Sequence, residues 1–248
     1  MPEALPQFFP PQTGADAVVI CLHGFTSTPY EIEPAAKAIA LLGLPTVAPL
    51  LPGHGYKERS QQEKQFAQIT MADMLGAARL EIARARKHYR YVGMFGLSMG
   101  GAIALSMAGL GLIDVCAVAA PALRLPKLAE FLIPLLSWAD FTLEVPLTEP
   151  FYVPLYEFYH SKALRTLWQL ASHAREHLSQ IQCPVLGVHS HQDLLVPPVV
   201  LELMQKDIPL PIETAWFDDS GHSMLLDNSG EEVASTIAEF FALKLMNK

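Results

Sequence analysis

Charge is scarce in this chain. Only 17% of its 248 residues are Asp, Glu, Lys or Arg, against about 25% in an average soluble domain, while 51% are apolar. So much apolar surface with so little charge excludes an intrinsically disordered chain. The 17 Lys and Arg are outnumbered by 25 Asp and Glu, for a net charge of −8, and they form no run. No nucleic-acid partner is therefore expected. Cysteine is scarce too: Cys21, Cys116 and Cys183 are an odd number, each in an apolar run. They exclude a disulfide scaffold and read as buried, reduced thiols, which favours a reducing compartment and a cytoplasmic location. The opening MPEALPQFFPPQ has no basic segment leading into an apolar one, so no signal peptide is expected.

What is present is strand–helix alternation along a chain long enough for one large domain. Apolar runs at 17–23, 45–51, 91–96, 113–121, 184–190 and 212–217 read as strands. Helical spacing is expected over 31–43, 70–88, 99–109, from about Val199, and over 230–246. Near-continuous apolar strands between helices mean a mostly parallel sheet covered on both faces, an α/β fold. Residues 100–123 are apolar enough to span a bilayer, but Gly109, Gly111 and Asp114 interrupt them. They read as a buried helix, a turn and a buried strand, so no membrane insertion is expected.

One stretch breaks the alternation. Residues 124–165 carry Pro126, Pro134, Pro146, Pro150 and Pro154 among Leu, Phe, Tyr and Trp, with no clean strand. The span between strands 113–121 and 184–190 is too long for an ordinary crossover. A helical insertion over about 123–175 is expected above the strand ends, where open α/β sheets bind ligands. Its run LAEFLIPLLSWADF (128–141) suits an acyl wall, with Phe131 and Leu135 meeting the chain, or transient contact with a lipid surface.

Gly96-Leu97-Ser98-Met99-Gly100 fits G-x-S-x-G between a buried strand and a helix, the context of a nucleophile elbow. Side chains at 96 and 100 would collide with neighbouring backbone, and the sharp turn leaves Ser98 exposed at a helix N-terminus, where a developing anion is favoured. A serine hydroxyl needs a base and an orienting carboxylate. Among nine histidines, His222 follows the last strand in Asp219-Ser220-Gly221-His222-Ser223, on a loop able to bend over the sheet edge. Asp193, after strand 184–190, would accept its Nδ1–H; Asp218, Asp219 and Asp227 are rivals. The backbone N–H groups of Met99 and Phe25 are the expected oxyanion donors, typically worth ~3–4 kcal/mol each.

Taken in order, HGF (23–25), PGHG (52–55), GLSMGG (96–101), the Gln192-Asp193 loop and SGHS (220–223) resemble the α/β-hydrolase superfamily. The nearest likeness is its bacterial carboxylesterase and monoacylglycerol lipase group, over about 15–246. That resemblance implies one hydrolase domain over 1–248 with a small helical cap after the sixth strand. It also implies a triad of Ser98, Asp193 and His222, oxyanion donors Phe25 and Met99, and no cofactor. The HG-x turn is associated there with medium to long acyl groups.

Two metal-like patterns are outweighed. His173-x-x-Glu176-His177 has no acidic third ligand nearby, and His189-x-His191-x-Asp193 occupies the place of the triad acid, so no metal is expected. The expected function is a serine carboxylesterase that acts on small short-to-medium acyl esters, monoacylglycerols among them, through an acyl-enzyme on Ser98. A thioesterase, C–C bond hydrolase or perhydrolase on the same triad is the alternative. A non-catalytic hydrophobic-ligand binding module would usually lack a triad member.

Overall fold

The computed structural model describes residues 5–10, 15–146 and 151–246. Seven strands make the central sheet: β1 (Gln7–Phe9), β2 (Ala17–Leu22), β3 (Thr46–Ala48), β4 (Tyr91–Leu97), β5 (Val115–Ala119), and, beyond a two-stranded ribbon of β6 (Thr142–Glu144) and β7 (Phe158–His160), β8 (Val185–His189) and β9 (Glu213–Trp216). Their order is β1-β3-β2-β4-β5-β8-β9. All neighbours are parallel except β1, which runs antiparallel to β3.

Alternation along the strands decides which helices cover which face. Val18, Ile20 and Leu22 of β2 join Met94 and Cys116 in one core, shared with α3 (Met71–Ala85), α4 (Met99–Gly109), α6 (Ser161–His177) and α7 (Val199–Asp207). Val19 and Cys21 join Phe95 and Ala117 in the other, under α1 (Glu33–Leu41) and α8 (Gly230–Leu245). Every residue of β2, β5 and β8 is buried, hence their unbroken apolar runs. Helix α4 is buried all round, so its sequence has no polar face. Thr70 and Asp73 close a capping box at the start of α3. Gly43, at φ +96°, ends the α1 segment as expected.

The anticipated strands and helices are found, most with shortened ends, though β4 runs on to Leu97 and α4 matches its expected bounds, and the membrane-length stretch 100–123 resolves into α4, a turn and β5. Among the described residues no helix is long and apolar enough to cross a membrane. Cys21 and Cys116 are buried free thiols, but Cys183 is only half-buried where full burial was expected. Strand β1 and helix α2 (Arg59–Phe66) were not anticipated; α2 is polar along most of its length and buries Gln62 and Phe66.

The insertion needs three corrections. It holds a single cap helix, α5 (Lys127–Leu136), and then the antiparallel ribbon of β6 and β7, where no strand was expected. These strands are three residues each, and β6 is exposed throughout, so no alternation marks them. Second, α6 belongs to the body: Ala163, Leu170 and Ala174 enter the core beside α4, and a Cβ on Gly109 of α4 would lie 2.4 Å from the His177 carbonyl oxygen. The overlying segment therefore ends near residue 160, not 175. Third, it follows the fifth strand of this sheet, not the sixth. Pro150 and its neighbours 147–149 lie outside the described residues.

Candidate active site

The turn between β4 and α4 is strained where the motif requires it. Ser98 sits at φ 54°, ψ −112°, a left-handed conformation that a non-glycine residue keeps only when its surroundings impose it. Those surroundings are specific. Ser98 N–H donates to the Ala119 carbonyl at 2.9 Å, and its own carbonyl accepts from Ala122 N–H at 2.9 Å. A Cβ on Gly96 would lie 2.1 Å from the Gly100 oxygen, and one on Gly100 2.3 Å from the Leu22 oxygen. Only glycine fits either place.

The His222 Nδ1–H donates to Asp193 Oδ2 at 2.7 Å. The other carboxylate oxygen of Asp193 accepts the N–H groups of Leu195 and Val196 at 2.8 and 2.9 Å. Burial alone would raise this carboxyl, but the His222 hydrogen bond and charge, with the two N–H groups, hold it below the usual carboxylate range. Asp193 thus has the orienting geometry. Its rivals have other work. Asp218 accepts from the backbone N–H and Nδ1–H of His191 at 3.0 and 2.8 Å on the exposed edge; Asp219 is exposed. Asp227 braces the histidine loop itself, accepting from Ser220 Oγ, Gly221 N–H and Ser229 N–H, each at 3.0 Å.

A second turn, 23–26, faces the elbow. His23 is fully buried; its Nδ1–H donates to the Gly24 carbonyl at 2.9 Å while its Nε2 accepts Leu51 N–H at 3.1 Å. Burial, then the neighbouring His54, pushes its pKa well below the ordinary value, so the ring stays neutral in that tautomer. The Gly24 carbonyl and Phe25 N–H belong to one planar peptide, so gripping the first aims the second. Met99 opens α4, and its N–H is among those a helix leaves unpaired.

Ser98, His222 and Phe25 line one cavity of about 590 Å³, a size suited to enclosing a small ligand. Leu128, Ala129, Leu132, Ile133 and Leu136 of α5 form its roof, with Phe141 and Tyr159; Leu164 and Leu167 come from α6. Phe131 and Leu135 are not among the lining residues. They are 67% and 60% exposed, a correction to the acyl-wall assignment. Neither metal-like pattern assembles a site: the His173 and His177 rings stack at 4.2 Å, His191 stacks on Trp216, and no cluster of three or more His, Cys, Asp or Glu among the described residues is placed to hold a metal.

Three site residues were missed. His23 was seen only as part of HGF, and Asp227 only as a rival acid. The third, Glu31, is 4% exposed, lines the cavity and accepts Gly24 N–H at 2.9 Å. Nothing in Pro29-Tyr30-Glu31-Ile32-Glu33 separates it from Glu33, because its burial comes from the chain folding back beneath the turn.

A parallel sheet with a strained serine elbow and a histidine–aspartate pair above one apolar cavity is the architecture of a hydrolase. Residues 19–236 match the model of the alpha/beta hydrolase family, and the chain belongs to that family. It is 27% identical over 231 residues to the thermostable monoacylglycerol lipase of Bacillus sp. (strain H-257), covering 90% of each chain. A solved structure from work on two metagenome-derived lipolytic enzymes is similar at TM-score 0.88 and 25% identity, over 97% of this chain and 98% of that one. The Paleococcus ferrophilus monoacylglycerol lipase shares the fold at TM-score 0.79 and 17% identity, over 96% and 98%.

Proposed function

We propose that the protein is a serine carboxylesterase acting on short-to-medium acyl esters, monoacylglycerols included. The observation that carries this reading is the 2.7 Å bond from His222 to a buried, ionised Asp193 at the edge of the apolar cavity that Ser98 also lines. His222 takes the Ser98 proton through Nε2, and Oγ attacks the ester carbonyl. The carbonyl oxygen gains its negative charge facing the N–H groups of Phe25 and Met99. The C–O bond to the alcohol then breaks, with the proton returning from His222 to the leaving oxygen. A water, deprotonated by the same imidazole, cleaves the acyl-enzyme and restores Ser98. The roof receives the acyl chain, each buried CH₂ contributing about 0.8 kcal/mol. The likeness to a monoacylglycerol lipase supports an ester with a small alcohol.

The outward side of α5 continues the reading. Phe131 and Leu135, with Trp138 just beyond the helix, are 60–72% exposed beside the cavity roof, and we place this face against aggregated substrate. The buried free thiols of Cys21 and Cys116 support a cytoplasmic location.

The deciding experiment is Ser98→Ala assayed on p-nitrophenyl esters from C2 to C16, monoacylglycerols and acyl-CoAs. Nearly all turnover should vanish, leaving at most the ~10³–10⁴-fold advantage over water that binding and the oxyanion donors supply. Retention of a tenth of the activity would overturn the nucleophile, and a preference for acyl-CoA would make the enzyme a thioesterase.

A further inference from the structure

Gly24 is gripped on both sides. Its carbonyl is held by His23 Nδ1–H at 2.9 Å and its N–H by Glu31 Oε2 at 2.9 Å. Glycine rotates more freely than any other residue, so without both grips the peptide carrying Phe25 N–H could swing. Space explains why position 24 is glycine. A Cβ there would lie 2.9 Å from Glu31 Oε2 and 3.5 Å from Ser98 Cβ, so the carboxylate is packed against the turn on the side of the elbow. Glu31 is held there by the single helical turn Pro29–Ile32. Among the described residues that line the cavity it is the one carboxylate, and none of them is Lys or Arg. Burial raises its pKa, while the Gly24 N–H and the charge of His222 act in the opposite direction. An acid so placed is costly unless its hydrogen bonds are kept.

We propose that Glu31 is a positioning residue for acyl transfer: its carboxylate holds the Gly24 N–H, so that Phe25 N–H stays aimed at the oxygen that becomes negative when Ser98 attacks. The inference rests on the serine-esterase reading above. The grip serves the tetrahedral intermediate, not substrate binding, because the oxyanion position is filled only during reaction. A hydrogen bond to a charged acceptor is shorter and about twice as strong as a neutral one, so an amide in its place should hold the turn less firmly, and an apolar side chain not at all.

The test compares two substitutions of similar length. Glu31→Gln keeps an oxygen that can accept Gly24 N–H; Glu31→Met fills the space without one. On p-nitrophenyl butyrate, Glu31→Met should lose about 30–100-fold in kcat, approaching the loss of one oxyanion donor, with KM within threefold of the parent. Glu31→Gln should recover to within about fivefold of the parent, and inactivation by a p-nitrophenyl phosphonate should slow in step with kcat. Should Glu31→Met melt below the assay temperature, Glu31→Ala with added acetate makes the same comparison, and acetate should restore kcat. A merely structural role would lower melting temperature and worsen KM in both variants alike. Folded variants with unchanged kcat, a Gln variant no better than Met, or no recovery with acetate overturn the proposal. Ser98→Ala is run beside them. If it stays active, the nucleophile reading fails and this proposal falls with it; if it is inert while the Glu31 variants are indifferent, only the positioning role falls.

Discussion

The cavity has a floor and a roof built by different rules. The floor is polar, buried and over-determined: Ser98 is strained between glycines that admit no side chain, Gly24 is held at both ends, and Asp193 accepts three hydrogen bonds. The roof is apolar and lightly tied. Of the ten residues of α5, only Ile133 is buried; the ribbon beside it is anchored through Phe158 and His160 of β7, while β6 is held from outside by exposed pairs such as Arg59–Glu144. Exposed pairs of this kind contribute little. A floor that must present charge-stabilising groups to fractions of an ångström needs such redundancy. A roof that only excludes water and covers methylenes can shift without loss. Chemistry should therefore answer to single atoms below, and substrate preference to total apolar area above.

The sharpest way to break that contrast is at the acid. Asp193→Asn keeps an oxygen for the Leu195 and Val196 N–H groups and should preserve the fold. It removes the acceptor that sets the His222 tautomer, costing on the order of 10⁴ in kcat. Asp227→Asn, which loosens the histidine loop, should cost up to about tenfold, and Asp218→Asn, on the exposed edge, under threefold. Steady-state kinetics with thermal melts of all three checks the ranking. A crippling Asp227 variant with an active Asp193 variant would move the orienting role to the other loop.

Legibility divides along the same line. The floor could be read because strand–turn–helix geometry permits few residues: glycines at 96 and 100, a serine between them, and turn-forming segments after each late strand. Those constraints are local, and the sequence displays them. Glu31 was illegible because its role arises only when the chain returns beneath a turn seven residues earlier. The ribbon was illegible because β6 and β7 are short and pair across a 13-residue gap, with nothing in either to announce the other. The two sides of α5 defeated periodicity for a simpler reason: both are apolar. One meets the cavity and the other faces outward, and hydropathy reads them alike.

A second prediction tests whether the floor depends on buried neutral histidines. His54 is buried against His23 and Phe66, and burial lowers its pKa to about 4; His23 is lowered as well. Between about pH 6.5, where an unfolded histidine titrates, and pH 4, the unfolded chain binds a proton that native His54 refuses. Stability from this group is thus complete above pH 6.5 and is lost as pH falls toward 4. From pH 7 to pH 5 the loss is about 2 kcal/mol for one such histidine, and His23 adds in the same direction. Asp193, with its depressed pKa, acts in a separate window below about pH 4. His54→Phe should flatten the fall between pH 7 and 5 in chemical-denaturation series; an unchanged slope would mean that His54 titrates alike in the native and unfolded chains.

The smallest effects belong to the roof, where α5 offers a comparison within one helix. Leu128, Leu132 and Leu136, four residues apart, line the cavity; Phe131 and Leu135 lie off that row, are absent from the lining and are exposed, as helical spacing requires. Polarising the inner row with Leu132→Ser and Leu136→Ser should lower kcat/KM for C8–C10 esters by about 1–3 kcal/mol. Acetate-ester turnover should change less than threefold, because contacts with remote methylenes stabilise the transition state without touching the proposed triad. Polarising the outer row with Phe131→Ser and Leu135→Ser should leave the whole C2–C10 profile intact on dissolved esters, while slowing hydrolysis of vesicle-borne monoacylglycerol several-fold by weakening apolar contact at the interface. Melting curves for both pairs separate these outcomes from unfolding, which would depress every substrate together. If the outer pair altered chain-length preference in solution while the inner pair did not, α5 would be rotated about its axis during turnover, and the roof would be a moving part of the site.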